Sequence, residues 1–107
     1  KTVAKASSAV DNTKGGQCGT FVRKVAGVRV GDSYQSKLAA MDPTITEPQP
    51  GMVFTIPYKD TGHIGIILDI KDGIATVKHS NYDLDEKITT DQIPVSKMTG
   101  FTYPKIA

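Results

Sequence analysis

The spacing of apolar residues changes from helical in the first half of the chain to alternating in the second half. Four apolar residues recur at helical spacing after Cys18 and predict one helix with a single buried stripe: Phe21, Val22, Val25 and Ala26. Gly27 follows the last of them and is a plausible end for this helix.

A second, shorter helix is predicted from Asp32 to about Met41. Asp32 is the expected N-cap, with Gln35 three positions later completing a capping box. Tyr34, Leu38 and Met41 then face inward, and the Asp-Pro pair that follows ends the helix.

The rest of the chain predicts strands over residues 52–56, 64–70, 74–80, 86–89 and 99–103. Residues 93–95 contain a proline and are expected to be a connection rather than part of a central strand. Helices followed by an antiparallel sheet of about five strands predict an α+β domain, with the helices on one side of the sheet. We expect one catalytic-type domain over 16–107, and residues 1–15 as a lead-in or linker.

The hairpin at residues 71–73 fixes which side chains share a face of the sheet. A three-residue turn with a left-handed Gly73 pairs Ile70 with Ile74 and places His63 opposite Asn81. A two-residue turn would shift the pairing by one residue and separate the two side chains. We favour the longer turn, because it keeps the isoleucines on one mostly apolar face. Gly65 leaves a gap on the other face, into which the helix beginning at Cys18 could dock.

Composition excludes several classes of protein. The chain has 107 residues, 38% hydrophobic and 22% charged, as expected for one globular domain. The net charge of +2 is too small to indicate nucleic-acid binding, although it mildly favours an anionic polymer such as bacterial cell wall. No apolar run is long enough to span a bilayer. The single cysteine excludes an internal disulfide. Because the sequence begins with Lys1 and has no signal-peptide pattern, we expect a domain excised from a longer protein.

Cys18 lies where the chain passes from a glycine-containing segment into a helix, a position that favours the thiolate. A lone cysteine is more often an inert core residue, so its partners decide the interpretation. Cys18 would attack a carbonyl carbon, and its backbone N–H would help to hold the oxyanion, with Gln17 as a weaker second donor.

His63 and Asn81 are the predicted partners of Cys18. His63 would act as general acid and base, and the carboxamide of Asn81 would orient the imidazole. His79 is expected to be a strand residue, and an auxiliary role as a polar partner is the alternative. Zinc is disfavoured, because the chain has one cysteine and two histidines.

Together these segments resemble the CHAP domain (cysteine, histidine-dependent amidohydrolase/peptidase), a relative of the NlpC/P60 peptidases in the papain-like group. The similar segments are Gly16-Gln17-Cys18 at a helix start, residues 50–53 at a strand start, residues 62–65, and a strand ending in Asn81. The resemblance implies a papain-like fold and hydrolysis of amide bonds in peptidoglycan, by an endopeptidase or an N-acetylmuramoyl-L-alanine amidase. It also implies an extracellular, wall-associated or virion-associated protein, such as a lysin or phage tail component, with the domain monomeric inside a larger chain.

This sequence departs from the family at His79, where an acidic residue is common. Asp83 and Asp85 are alternative orienting residues, although solvated loop charges are their simpler interpretation. Some members bind calcium through acids before the cysteine, but residues 11–13 supply too few carboxylates, so we expect no cofactor. Two other functions stay open: a cysteine protease that processes protein, and a catalytically silent wall-binding module.

Overall fold

The computed structural model describes residues 2–105 and is a small α+β domain. Three helices come first: α1 (Thr2–Ser7), α2 (Cys18–Ala26) and α3 (Tyr34–Ala39). Five strands follow: β1 (Val53–Ile56), β2 (His63–Lys71), β3 (Ile74–Ser80), β4 (Ile88–Pro94) and β5 (Gly100–Thr102). They form one antiparallel sheet in the order β4-β3-β2-β1-β5. The predicted α+β class with a five-stranded antiparallel sheet is confirmed. No helix within residues 2–105 is both long and apolar enough to cross a membrane.

Helix α2 has the predicted bounds and the predicted buried stripe. Its four apolar residues are all buried, and they pack against the sheet residues Ile64 and Ile66. Gly27 ends the helix in a left-handed conformation (φ 73°), and its N–H donates to the carbonyl of Arg23. The local pattern was sufficient here because capping and burial agree.

Helix α3 begins one residue later than predicted, and its inner face differs: Met41 is buried as predicted, but Leu38 is not. Ser33, not Asp32, is the N-cap, and its hydroxyl accepts from the N–H of Ser36 at 3.0 Å. Leu38, expected to face inward, is 40% exposed, whereas Lys37 is buried. The reason is electrostatic: the ammonium of Lys37 finds three carbonyl acceptors inside the fold, described with the site below.

Residues 2–15, expected to be a lead-in or linker, lie against the domain. Ala6 of α1 is fully buried in the same cluster as α2. Gly15 passes so close to Ser80 and Ile88 that a Cβ there would lie 2.5 Å from each side chain. The hydroxyl of Ser80 donates to the carbonyl of Gly16 at 2.7 Å. These contacts fix the segment that leads into Cys18 against the end of β3.

The β2–β3 turn differs from the prediction, yet the predicted pairing of Ile67 with Val77 is confirmed. The turn has two residues, Asp72 and Gly73, both with positive φ (53° and 76°), and Lys71 pairs with Ile74. An irregularity between Ile67 and Asp69 adds one unpaired residue to β2, and Ile67 therefore still pairs with Val77 as predicted. The shorter turn and the bulge offset each other. Beyond the bulge Ile70 changes face and packs near Ile67, contrary to the prediction.

Strand β4 is longer than predicted and contains residues that we had interpreted as a connection. It runs to Pro94 and lies at the edge of the sheet, where a proline is tolerated. On the face away from α2, all five strands and the residues next to them form a second apolar cluster: Met52, Phe54, Ile56, Ile67, Ala75, Val77, Ile93, Met98 and Phe101. Both faces of the central strands are therefore buried.

Candidate active site

Cys18 is the first residue of α2 and borders an open groove. Gln17 precedes it as the N-cap in an extended conformation, and its side chain makes no capping hydrogen bond. The first-turn N–H groups of α2 and the amide of Gln17 are thus available to a ligand. Cys18 is partly exposed, not sealed in the core. The groove has a volume of about 500 Å³ and is also bordered by Thr61 and Asn81.

Three side chains form a hydrogen-bonded chain near the end of the sheet where β2 begins and β3 ends. Nε2 of His63 lies 2.9 Å from Nδ1 of His79, and Nε2 of His79 lies 2.7 Å from Oδ2 of Asp91. His63 begins β2, His79 is the penultimate residue of β3, and Asp91 lies in β4. Asp91 is opposite Val77, so it is the diagonal neighbour of His79 on the same face. We call this set the relay.

The relay fixes the positions of its protons. An ionised carboxylate only accepts, so Nε2–H of His79 donates to Asp91. Nδ1 of neutral His79 then has a lone pair and accepts from Nε2–H of His63. Nδ1 of neutral His63 is left as an unprotonated base with no partner inside the relay. This is the tautomer that a general base requires.

Burial determines the electrostatics of the relay. Burial, the neighbouring His79 and the ammonium of Lys37 lower the pKa of His63 to about 3. Burial also lowers the pKa of His79, although its hydrogen bond to Asp91 opposes that shift. Partial burial raises the pKa of Asp91, but the hydrogen bonds from His79 and Thr89 outweigh it and the net pKa is lowered. Both imidazoles are therefore neutral and Asp91 is charged near neutral pH.

Two tyrosines cover the relay. The ring of Tyr82 stacks on His79 with centroids 4.6 Å apart and lies 5.1 Å from His63. Tyr58 stacks on Tyr82 at 4.9 Å, and its hydroxyl donates to the carbonyl of Tyr82. This cover keeps water from His79, which is fully buried. Burial raises the pKa of the Tyr82 phenol, which stays neutral.

Lys37 joins the loops on the other side of the groove. Its ammonium donates to the carbonyls of Gly31, Asp32 and Thr61 at 3.2, 2.9 and 3.0 Å. All three of its N–H groups are thus used. Since Thr61 is two residues before His63, this contact ties the entry to β2 to the loop before α3.

Asn81 does not occupy the predicted position beside the ring of His63. Strand β3 ends at Ser80, and Asn81 adopts a left-handed conformation (φ 65°) that turns its side chain into the following loop. There its Oδ1 accepts from the N–H of Glu86 at 2.9 Å. Asn81 still borders the groove, but the hydrogen bond to His63 is made by His79. Of the alternative residues, Asp85 accepts from the N–H of Lys87, and Asp83 is exposed.

The gap at Gly65 is filled from within the sheet. Phe54 lies opposite Gly65, and a Cβ at that position would be 2.8 Å from the Phe54 ring and 3.0 Å from Cβ of His79. The expectation that the start of α2 docks there was wrong. Gly65 instead lets the Phe54 ring and His79 approach the strand.

Sequence reasoning missed Asp91, Tyr58, Tyr82 and Lys37. Asp91 directly continues the strand that we predicted to end at Thr89. Pro94 led us to interpret the residues that follow as a connection, and Asp91 was therefore missed. Asp11, in the segment that we judged to have too few carboxylates for calcium, accepts from Lys78 Nζ at 3.0 Å. Among residues 2–105 no group of three or more histidine, cysteine or acidic side chains is arranged to hold a metal ion.

Comparisons with known proteins identify the fold alone. No protein-family model matches the chain, and no curated protein matches it. Four chains of solved structures match, among them one reported as "The crystal structure of Ly7917", with a TM-score of 0.67 and 14% sequence identity. That match covers 96% of this chain and 61% of the other, so this chain spans about three-fifths of its length.

Proposed function

We propose that this domain is a cysteine hydrolase that cleaves amide bonds in bacterial peptidoglycan, on a papain-like fold of the CHAP and NlpC/P60 type. The observation that supports it most directly is the hydrogen-bonded relay from Asp91 through His79 to His63. Two of the three ionisable side chains in this chain, His63 and His79, are buried. Burying such groups costs free energy, and hydrogen-bonded chains of this kind are concentrated at functional sites. The nucleophile of the proposal is Cys18, which is partly exposed at a helix start and borders the groove.

The proposed reaction begins when Nδ1 of His63 removes the proton of the Cys18 thiol. The sulfur attacks the carbonyl carbon, and the oxyanion accepts from the N–H of Cys18 and the side chain of Gln17. His63 then returns the proton to the nitrogen, the C–N bond breaks, and a thioester remains. Water, deprotonated by His63, attacks the thioester, and the acid product leaves as the thiol is restored.

The relay explains how a buried imidazole serves as base. No hydrogen bond links His63 to Cys18 among the described residues, and contacts of this kind often form only with substrate bound. The imidazolium would be transient, because burial disfavours it in the resting site. Asp91, through His79, stabilises that charge when it forms. His79 thus takes the orienting role that we first assigned to Asn81.

Purified peptidoglycan tests the proposal directly. The wild-type domain should release soluble fragments, and Cys18→Ala should release none while remaining folded. Mass analysis of the fragments identifies the cleaved bond: a new amino group within the peptide indicates an endopeptidase, and a freed lactyl carboxylate indicates an amidase. Wild-type protein that binds walls without releasing fragments would support the silent binding module, and cleavage of protein alone would support the processing protease.

The proposed setting is the outside of a bacterial cell, at the wall or on a virion. There the domain would act as one unit of a longer lysin or tail protein. This part of the proposal depends on the resemblance alone. Comparing wall digestion by this domain with that of its parent chain tests it.

A further inference from the structure

The two arginines of the chain lie at the same groove. Eleven of the thirteen basic residues are lysines, and the only arginines are Arg23 and Arg29. Both border the groove that also contains Cys18. Arginine differs from lysine in presenting a planar fork of donors that matches a carboxylate with two parallel hydrogen bonds.

Both guanidinium groups are available to a ligand. The two ion pairs within residues 2–105 join Lys78 to Asp11 and His79 to Asp91, and neither includes an arginine. Arg23 and Arg29 are exposed, and neither side chain donates a hydrogen bond to another described residue. The packing of the domain therefore does not account for either guanidinium.

The other charges of the groove leave this role to the arginines. Lys37 also borders the groove, but its three donors are all bound to backbone carbonyls. Asp32 is the one acidic residue among those that line the groove, and it would repel an anionic group at its end. The lining of the groove thus includes two guanidinium groups without a partner among the described residues and one carboxylate.

We infer that Arg23 and Arg29 bind a carboxylate of the substrate beside the bond that is cleaved, so that the domain selects acidic peptides. This inference deepens the proposed hydrolase and rests on it. Arg23 is five residues after Cys18 in α2, a rise of about 7.5 Å along the helix axis. Because the arginines line the same groove as Cys18, the carboxylate belongs to a residue of the peptide near the cleaved amide.

The test compares two preparations of one batch of purified peptidoglycan. In one, carbodiimide and ammonia convert the free carboxylates to carboxamides; the other is mock-treated. The wild-type domain should digest the mock-treated walls about 10- to 100-fold faster, because charge-assisted hydrogen bonds to a carboxylate contribute roughly 1.5–3 kcal/mol. The double variant Arg23→Gln/Arg29→Gln should lose most of this preference by slowing on the mock-treated walls.

Amidation also removes charge from the wall as a whole, so a matched control is needed. Lys24→Gln/Lys71→Gln removes two positive charges outside the groove and should keep the preference. Equal digestion of both preparations by the wild type would overturn the inference while leaving the hydrolase intact. An equal loss of preference in the lysine control would also overturn it.

A binding measurement separates this inference from the proposed activity. Cys18→Ala should co-sediment more with mock-treated than with amidated walls, and adding the two arginine substitutions should abolish the difference. If the wild type digests neither preparation, the hydrolase proposal fails and this binding result still decides whether the arginines select carboxylates. No binding preference in Cys18→Ala would overturn the inference.

Discussion

The hairpin of β2 and β3 has two ends with opposite properties. At the turn, Asp69, Lys71 and Asp72 are exposed, and Ile74 is 37% exposed. At the open end, His63 is 2% exposed and His79 is fully buried, and their partner Asp91 lies on the neighbouring strand. Burying polar side chains costs free energy unless every donor and acceptor is paired. The exposed turn end needs only a tight turn between two strands. The open end has two buried histidines in a hydrogen-bonded chain, which the stability of the sheet does not require.

The largest difference between the two ends is expected from removal of the base. In His63→Gln the new amide can still donate to His79, so the fold should persist while the base is lost. We expect kcat/KM on peptidoglycan to fall by about 10³-fold or more. Asp69→Asn, near the turn, is the control and should retain wild-type activity. If His63→Gln keeps more than a tenth of the activity, His63 is not the base.

A smaller effect is expected from the far end of the relay. In Asp91→Asn the amide can donate to Nε2 of His79, which would then donate from Nδ1 and place the proton of His63 on the wrong nitrogen. We expect a loss of about 10- to 100-fold, smaller than for the base because Asp91 is one residue further away. Asp83→Asn removes an exposed charge near His79 and serves as the control. Equal activity of the two variants would contradict the relay.

The same substitution at the two ends separates packing from turn geometry. Gly65→Ala would press a Cβ against Phe54 and His79, so we expect a loss of about 1–3 kcal/mol of unfolding free energy together with lower activity. Gly73→Ala meets no atom within 4 Å but has φ +76°, so about 1 kcal/mol of stability should be lost without loss of activity. Urea unfolding and wall digestion measure both. If Gly73→Ala lost activity and Gly65→Ala did not, the assignment of the functional end of the hairpin would be wrong.

The smallest expected effect is the dependence of the unfolding free energy on pH, which arises at the open end. Unfolded histidine binds a proton below about pH 6.5, whereas folded His63 does so only near pH 3. Between these values the unfolded state holds more protons, so the unfolding free energy rises with pH, by up to about 1.4 kcal/mol per unit for one proton. Urea unfolding between pH 5 and 6.5 should show this slope, and His63→Gln should have a shallower one. Equal slopes would exclude His63 as its source.

Local patterns were enough to predict some elements. Helix α2 and strand β3 have the predicted bounds. In α2 the apolar periodicity, the buried stripe and the left-handed Gly27 all indicate the same helix. The prediction that Leu38 rather than Lys37 faces the core was wrong, because Lys37 is buried only where backbone carbonyls accept from its ammonium. The partners in the sheet order, such as β5 beside β1, depend on long-range pairing that no local pattern contains.

The sequence predicted which helix and strand contain Cys18 and His63, but it did not predict the hydrogen-bond partners of His63. Cys18 lies at the predicted helix start, and His63 at the predicted strand entry. The predicted position of Asn81 beside His63 was wrong, because Asn81 leaves the strand in a left-handed conformation that its short polar side chain tolerates. Asp91 was missed because the predicted strand ended at residue 89 and the proline made residues 93–95 read as a connection, whereas an edge strand tolerates a proline and β4 runs to Pro94.

The extra residue in β2 between Ile67 and Asp69 has a consequence for variation in the length of this hairpin. The register at the histidines is the sum of two offsets of opposite sign, one from the short turn and one from the bulge. A chain that gained one residue in the turn and lost one at Leu68 would leave both imidazoles in place. Either change alone would turn one histidine to the opposite side of the sheet and disconnect it from the other.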